Sequence, residues 1–389
     1  MTDSPRKLCR WGIIGLGGIS TKFATSIIRD NQSTDPETPK HAIVAVGSSS
    51  LEKAQSFVDK IYKGRPEPFS GSLYGSYEDL VADPNIDIIY IGTPHQRHHD
   101  DTLLCLRAGK HVLVEKPFAV NAQEAQEMAA VAEGRGLFLM EALWTRYLPA
   151  AVKVRELLDK GILGDIRHVV ADLCRPANTT GENKSEKHLA RKSLPIISPV
   201  PFNADPAHRF LNPDLAGGAL LDLGIYPLQW LQFILGPLNG DKDPQVSAHI
   251  EKHPLTGVDG VTSAVLHYTE AKALATFTTS IEYFGSDHVT LYGTQGVLRI
   301  LGPNWAPTSV VFTSGTNNDG KEEVFDCSYE GNGMRFEADE AARCVLGGRL
   351  ESLSARVQES VLMARVMDGI RRQGGVKYPF EVEIGKTVP

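Results

Sequence analysis

Gly15-Leu16-Gly17-Gly18-Ile19-Ser20 stands between a short apolar run, Arg10 to Gly15, and a helical stretch from about Ile19 to Arg29. The order strand, glycine turn, helix leaves few folds open. Glycines let the backbone turn tightly and approach a ligand, and the helix that follows aims its unpaired N–H groups at the same place. G-x-G-x-x-S is weak as a bare pattern, because many turns use glycine. Placed between a strand and a helix, it is the signature of a dinucleotide fold, with Ser20 in the third small position. Gly15, Gly17, Gly18 and Ile19 are then the expected cradle for a pyrophosphate.

The same rhythm runs on to about residue 143. His41 to Gly47, Asp87 to Gly92, His111 to Glu115 and Gly136 to Glu141 read as buried strands. Leu51 to Ile61, Tyr77 to Ala82, Asp101 to Ala108 and Ala122 to Glu133 read as helices between them, and Pro66 to Ser72 as a loop. Near-continuous apolar strands alternating with helices predict an α/β fold, a doubly wound parallel sheet covered on both faces. Such sheets bind ligands beyond the carboxyl ends of their strands, so the residues there are site candidates.

The second strand ends in Gly47-Ser48-Ser49-Ser50-Leu51-Glu52-Lys53, with no acid at its tip. A carboxylate there would bind the ribose 2′-OH of NAD and repel a 2′-phosphate. Hydroxyls from Ser48, Ser49 and Ser50 with the Lys53 ammonium suit the phosphate, which favours NADP. Ser50 also fits the N-cap of the next helix, and the two roles are compatible. The third strand runs into Thr93-Pro94-His95-Gln96-Arg97-His98-His99. Three histidines in five positions raise the question of a metal, but no acid or cysteine stands at ligand spacing, and no metal is expected. His98 is expected to touch cofactor or substrate, or to cap the following helix; His99 is expected to be exposed. The fourth strand delivers Glu115, Lys116 and Pro117.

Beyond residue 143 strands dominate: Ile166 to Cys174, Gln245 to His253, Val261 to Thr269, Ala273 to Tyr283, His288 to Tyr292, Val297 to Leu301 and Ser309 to Thr313. Their hairpin-like spacing predicts a second domain, residues 144–389 after residues 1–143, built on a large open, mostly antiparallel sheet. Helices at Tyr147 to Lys160, Gly217 to Leu235 and Leu353 to Arg372 would cover one face, leaving the other to solvent or to an oligomer contact. Arg175 to Asn212 is long and polar, with Lys184, Lys187, Arg191 and Lys192, and reads equally as a lid or as a disordered loop.

Bulk properties exclude some classes. With 389 residues, 40 basic and 47 acidic side chains and net charge −7, the chain has no basic run for nucleic acid. No stretch is apolar enough to cross a membrane, and Met1 to Arg10 lacks the apolar segment of a signal peptide. Five cysteines without a CxxC pair read as reduced thiols of a cytoplasmic protein.

One constellation carries chemistry. Asp222 and Tyr226, four residues apart in an otherwise apolar helical segment, share a helix face. A buried Asp needs a cation, and Lys116 from the first sheet can supply it. The ammonium would favour phenolate and lower the Tyr226 pKa, so that the phenol moves a proton while hydride moves to or from a nicotinamide. A structural ion pair beside a core tyrosine explains the same spacing.

The chain resembles the Gfo/Idh/MocA family of NAD(P)-dependent oxidoreductases over nearly its whole length. The likeness rests on GLGGIS, Thr93-Pro94-His95-x-x-His98, Ala108-Gly109-Lys110-His111-Val112, Glu115-Lys116-Pro117 and Gly217-Gly218-Ala219-Leu220-Leu221-Asp222-x-Gly224-Ile225-Tyr226. Met140 to Tyr147, Asn212 to Gly218 and Gly302 to Pro307 resemble the branch of dimeric dihydrodiol dehydrogenase and fungal NADP-dependent D-xylose dehydrogenase. The resemblance implies that Lys116, Asp222 and Tyr226 are catalytic, and that Lys116 precedes a cis Pro117. It places Thr93, Pro94, His95, His98, Glu115 and Lys116 near the cofactor. Trp144, Arg146, Arg209, Phe210, Tyr226 and Trp305 fall in the substrate region, and the open sheet would form a homodimer. Residues 181–200 look longer than in these relatives, and Ser49 stands where the dihydrodiol enzymes carry Arg. The implied activity is aldose oxidation of the D-xylose type; dihydrodiol oxidation, dicarbonyl or keto-sugar reduction, and a non-catalytic NADP sensor are the alternatives.

Overall fold

A computed structural model describes residues 6–29, 38–176, 205–240, 242–315 and 320–381. The segment 181–200 and its four basic residues lie outside them.

The first unit is β1 (Leu8–Ile14), α1 (Gly18–Arg29), β2 (Lys40–Gly47), α2 (Leu51–Ile61), β3 (Ser72–Tyr74), α3 (Tyr77–Val81), β4 (Ile88–Ile91), α4 (His98–Arg107), β5 (His111–Glu115), α5 (Ala122–Arg135) and β6 (Leu139–Ala142). All six strands are parallel, in the order β3-β2-β1-β4-β5-β6. The order reverses between β1 and β4, which opens the ligand crevice of a doubly wound sheet at their carboxyl ends. Side chains alternate across the sheet: Trp11, Ile13, Ile88, Tyr90 and Leu113 on one face, Ile14, Ile89, Ile91, Val112 and Val114 on the other. β3, three residues long, falls partly in the segment read as a loop.

The second unit follows with α6 (Pro149–Asp159), β7 (Ile166–Cys174), α7 (Ile225–Leu235), β8 (Gln245–Lys252), β9 (Asp259–Tyr268), β10 (Ala273–Ser280), β11 (Val289–Gly293), β12 (Gly296–Leu301), β13 (Ser309–Ser314) and β14 (Glu322–Asp326). These eight strands form one sheet, β14-β13-β12-β11-β7-β10-β9-β8, antiparallel except for the β7–β10 pair. One face packs on α6, α7 and the late helix α9 defined below, burying Val169, Leu266, Phe277, Leu291 and Ile300 with Leu231 and Met367. The opposite face leaves Val265, Leu274 and Tyr292 exposed.

Two helices close the chain, α8 (Met334–Leu346) and α9 (Val357–Gly374). The sequence reading anticipated α9 but not α8 or β14. Met334, Ala338, Ala341 and Ala342 of α8 join Trp11 and Phe23 of the first unit, while Val361 and Ala364 of α9 join Val112 and Ala129. The last part of the chain therefore returns to cover both faces of the first sheet.

Candidate active site

At the dinucleotide end, Gly15 has φ +75°, and a Cβ there would sit 2.3 Å from the Thr93 backbone nitrogen. Only glycine lets the turn pass so close to β4. A Cβ on Gly17 or Gly18 would meet nothing within 4 Å, so the space in front of the turn is open, and both residues are exposed. Ser20 is buried, donates to the Gly15 carbonyl at 2.5 Å, and faces Gly92 so closely that a Cβ on that glycine would clash. The third small position serves helix–strand packing, as the fingerprint requires. An open glycine turn at the N-terminus of a 12-residue helix fits a pyrophosphate. At the tip of β2, the Ser50 side chain accepts the Lys53 amide at 3.3 Å as an N-cap, and Lys53 Nζ donates to Ser49 Oγ at 2.8 Å. Ser48 is buried, with its N–H on the Tyr74 carbonyl, and Ile19 lies on the open side of the turn.

At the carboxyl end of β5, Lys116 precedes a cis Lys116–Pro117 peptide, as the resemblance implied. Its ammonium donates to Asp222 Oδ1 at 3.0 Å and to the Asp222 carbonyl at 2.8 Å, and sits 4.9 Å from the Tyr226 ring centre. Asp222 lies in a single π-helical turn, Leu220–Gly224, that leads directly into α7. Such turns interrupt the regular ladder and mark functional sites. The π turn is pinned from the second sheet: buried Asp259 accepts the Leu220 amide at 2.5 Å and Thr262 Oγ1 at 3.2 Å. Gly218, at φ +122°, must be glycine, because a Cβ would strike Asp259 Oδ1. Burial pushes the Asp259 carboxyl up to about 7.

Asp222 is the hub. Besides Lys116, it accepts Arg209 at 3.2 and 3.1 Å, and His95 Nε2 lies 3.5 Å from Oδ1. Burial alone would raise its pKa, but Lys116, His95 and Arg209 together hold it well below the carboxylate range. Burial alone would lower Lys116; Asp222, Tyr226 and Glu115 reverse that and keep it above its ordinary value. Tyr226 departs from expectation. Desolvation raises its phenol, and Lys116, the largest opposing influence, does not cancel that rise. The ammonium acts in the anticipated direction but loses to burial.

Aromatic walls surround the phenol. Trp144 Nε1 donates to Tyr226 Oη at 3.4 Å, and the Trp305 ring lies 6.5 Å from that of Tyr226. Trp305 is held by its carbonyl, which accepts Thr145 Oγ1 at 2.6 Å. Arg209 stacks 4.2 Å from Phe210 at the rim. Arg175, which the sequence reading used only as a loop boundary, lies 5.0 Å from the Trp305 ring and pairs with Asp287. A basic residue just after β7, beside an aromatic loop, was the available signal.

Three expected site residues do other work. Arg146 is buried on an ion pair with Glu359, the Ser354 carbonyl at 3.0 Å and Gln229 at 3.3 Å, so it braces α7 and α9 rather than facing substrate. His98 is fully buried, with Nδ1 2.8 Å from the Pro117 carbonyl and Nε2 2.9 Å from that of Thr93. It ties the ends of β4 and β5 together, and burial pushes its pKa down to about 3. Glu115 is also buried, accepting Tyr90 Oη at 2.6 Å and the Lys116 amide at 3.2 Å. It acts on the site through Lys116. His99 is half-buried between Asp100 and Glu127 rather than exposed. Pro94 is exposed, Thr93 is buried just after β4 with its backbone against Gly15, and His95 sits beside Asp222. Among the described residues no group of three His, Cys, Asp or Glu could hold a metal ion, and the five cysteines are buried and free.

A glycine turn at the switch point of a parallel sheet, together with a cluster in which Lys116 from that sheet meets Asp222 and Tyr226 from a helix of the second unit, fits an oxidoreductase that works on a dinucleotide. Residues 9–143 match the family model described as an oxidoreductase family with an NAD-binding Rossmann fold, and residues 151–299 match its Gfo/Idh/MocA C-terminal domain. The chain belongs to the Gfo/Idh/MocA oxidoreductase family. It is 37% identical over 388 residues to D-xylose 1-dehydrogenase (NADP(+)) of Hypocrea jecorina, covering 95% of this chain and 93% of that one. It is 38% identical over 378 residues to trans-1,2-dihydrobenzene-1,2-diol dehydrogenase of Sus scrofa, covering 95% and 98%. In fold it is similar to an aldose-aldose oxidoreductase from Caulobacter crescentus, with TM-score 0.74, 22% identity and coverage of 95% and 98%.

Proposed function

We propose that this chain is an NADP-dependent dehydrogenase that oxidises an aldose of the D-xylose type at its anomeric carbon. The observation that carries the reading is Tyr226 Oη, recessed between Trp144 and Trp305, with the Lys116 ammonium over its ring. Bound NADP supplies the hydride acceptor. Gly15, Gly17, Gly18 and Ile19 would hold its pyrophosphate, and Ser49 with Lys53 its 2′-phosphate. Tyr226 takes the proton of the anomeric hydroxyl as the C1 hydrogen leaves as hydride, and the sugar becomes a lactone. Asp222 keeps Lys116 charged and in place, and Arg209 keeps Asp222 from drifting. The aromatic walls offer the apolar C–H face of a sugar a surface to lie on.

The reading is tested by following nicotinamide absorbance with NADP and a panel of aldoses, trans-dihydrodiols, dicarbonyls and keto-sugars. Turnover with D-xylose well above the rest supports it. A preference for dihydrodiols, which the same aromatic walls would accept and which similarly related enzymes oxidise, moves the assignment to that chemistry. No turnover with tight NADP binding makes the chain a cofactor sensor, a reading that the intact Lys116–Asp222–Tyr226 set argues against. We further propose a homodimer through the open face of the second sheet, where Val265, Leu274 and Tyr292 are exposed among polar neighbours, and a reducing, cytoplasmic setting for the five free thiols. Light scattering reads the first directly, with a mass of one chain as the contrary result.

A further inference from the structure

The α2 positions 53, 56, 57 and 60 share one helix face, which looks across at Leu16 and Thr21 beside the glycine turn. Together with Ser48 they line a cleft of about 380 Å³. No carboxylate lines it. Lys53 Nζ is held by Ser49 Oγ at 2.8 Å on one side, and Lys60 Nζ by Thr21 Oγ1 at 3.4 Å on the other. Thr21 Oγ1 in turn donates to the Gly17 carbonyl at 3.0 Å, which fixes it to the pyrophosphate turn. Neither lysine has an acidic partner among the described residues, so hydroxyls orient both ammoniums without neutralising either. Two like charges gathered on one cleft are costly alone and are offset by a ligand that carries nearly two negative charges.

We propose that Lys60 and Thr21 complete the recognition site for the phosphomonoester on the adenosine ribose, so that NADP is chosen by two lysines on one helix face that lines the cleft. The proposal rests on the NADP reading above and adds a residue that lies about two helical turns beyond Lys53. Lysine binds phosphate as a mobile point charge, which suits a site whose donors come from two different helices. It also accounts for the absence of an arginine at Ser49, because the second charge arrives from α2 instead.

Calorimetric titration of the full chain with NADP, NAD and adenosine 2′,5′-bisphosphate tests it. Lys60→Ala should weaken NADP and the bisphosphate roughly tenfold, leave NAD unchanged, and be partly restored in Lys60→Arg. Thr21→Val should lower NADP affinity by a smaller factor. Lys60 is exposed, so the unchanged NAD titration also reports an intact fold. If wild type prefers NADP and Lys60→Ala binds it equally well, or loses NAD in the same proportion, the inference is overturned while the cofactor assignment stands. A wild type that binds NAD as tightly as NADP overturns both.

Discussion

Lysine is used in two opposite ways at the two ends of the crevice. Lys116 is withdrawn from water, clamped to the side chain and the carbonyl of Asp222, and its charge is spent on its neighbours. Lys53 and Lys60 are exposed and rest on hydroxyls, with their charge left unspent. On the proposed function, the difference follows from what each end would handle. Proton transfer needs a charge of fixed position in a dry setting, where its field is strong. Recognition of a charged ligand needs a cation that no protein carboxylate has already claimed.

Each side of this contrast can be broken separately. Tyr226→Phe removes the proposed proton carrier and should lower kcat about a thousandfold while NADP affinity is kept; steady-state kinetics with calorimetry checks both. Asp222→Ala strands the Lys116 ammonium in a low-dielectric recess and should destabilise the fold by about 3 kcal/mol, read from denaturant midpoints. That loss should shrink in acid. Asp222 has a depressed pKa, so its stabilisation is present above the unfolded carboxylate value near about 4 and fades as pH falls through the lower folded value. Lys53→Ala should cost only several-fold in NADP affinity and should flatten its salt dependence, because an exposed charge is screened and a buried pair is not. Equal salt sensitivity in wild type and variant would erase the contrast.

Much of the first sheet was legible because its strands are buried on both faces, so their apolar runs are unbroken. The glycine turn was legible for a steric reason that the structure repeats at Gly15. α8 escaped because acids interrupt its apolar face: Glu337 and Asp339 are both buried within it. The Lys116–Asp222 pair could be inferred because a buried acid demands a cation. Arg146 could not be separated from a substrate ligand, because its partner Glu359 lies 213 positions along the chain. The direction of the Tyr226 shift was illegible for a related reason. A neighbouring ammonium can be guessed from sequence, whereas the burial that opposes it depends on how the folded chain closes around the ring.

The central claim is that the Lys116 charge offsets part of the burial that disfavours the Tyr226 phenolate, and so aids the proposed proton transfer. It is tested most directly by the pH dependence of hydride transfer in single turnovers, wild type against Lys116→Met. Tyr226 is held above its ordinary pKa by burial, so sugar oxidation should speed up as pH rises in the wild type. Removing the ammonium removes the influence that favours phenolate, and the rising limb should move to still higher pH. A slower variant whose pH profile stays where the wild type's lies would contradict the account.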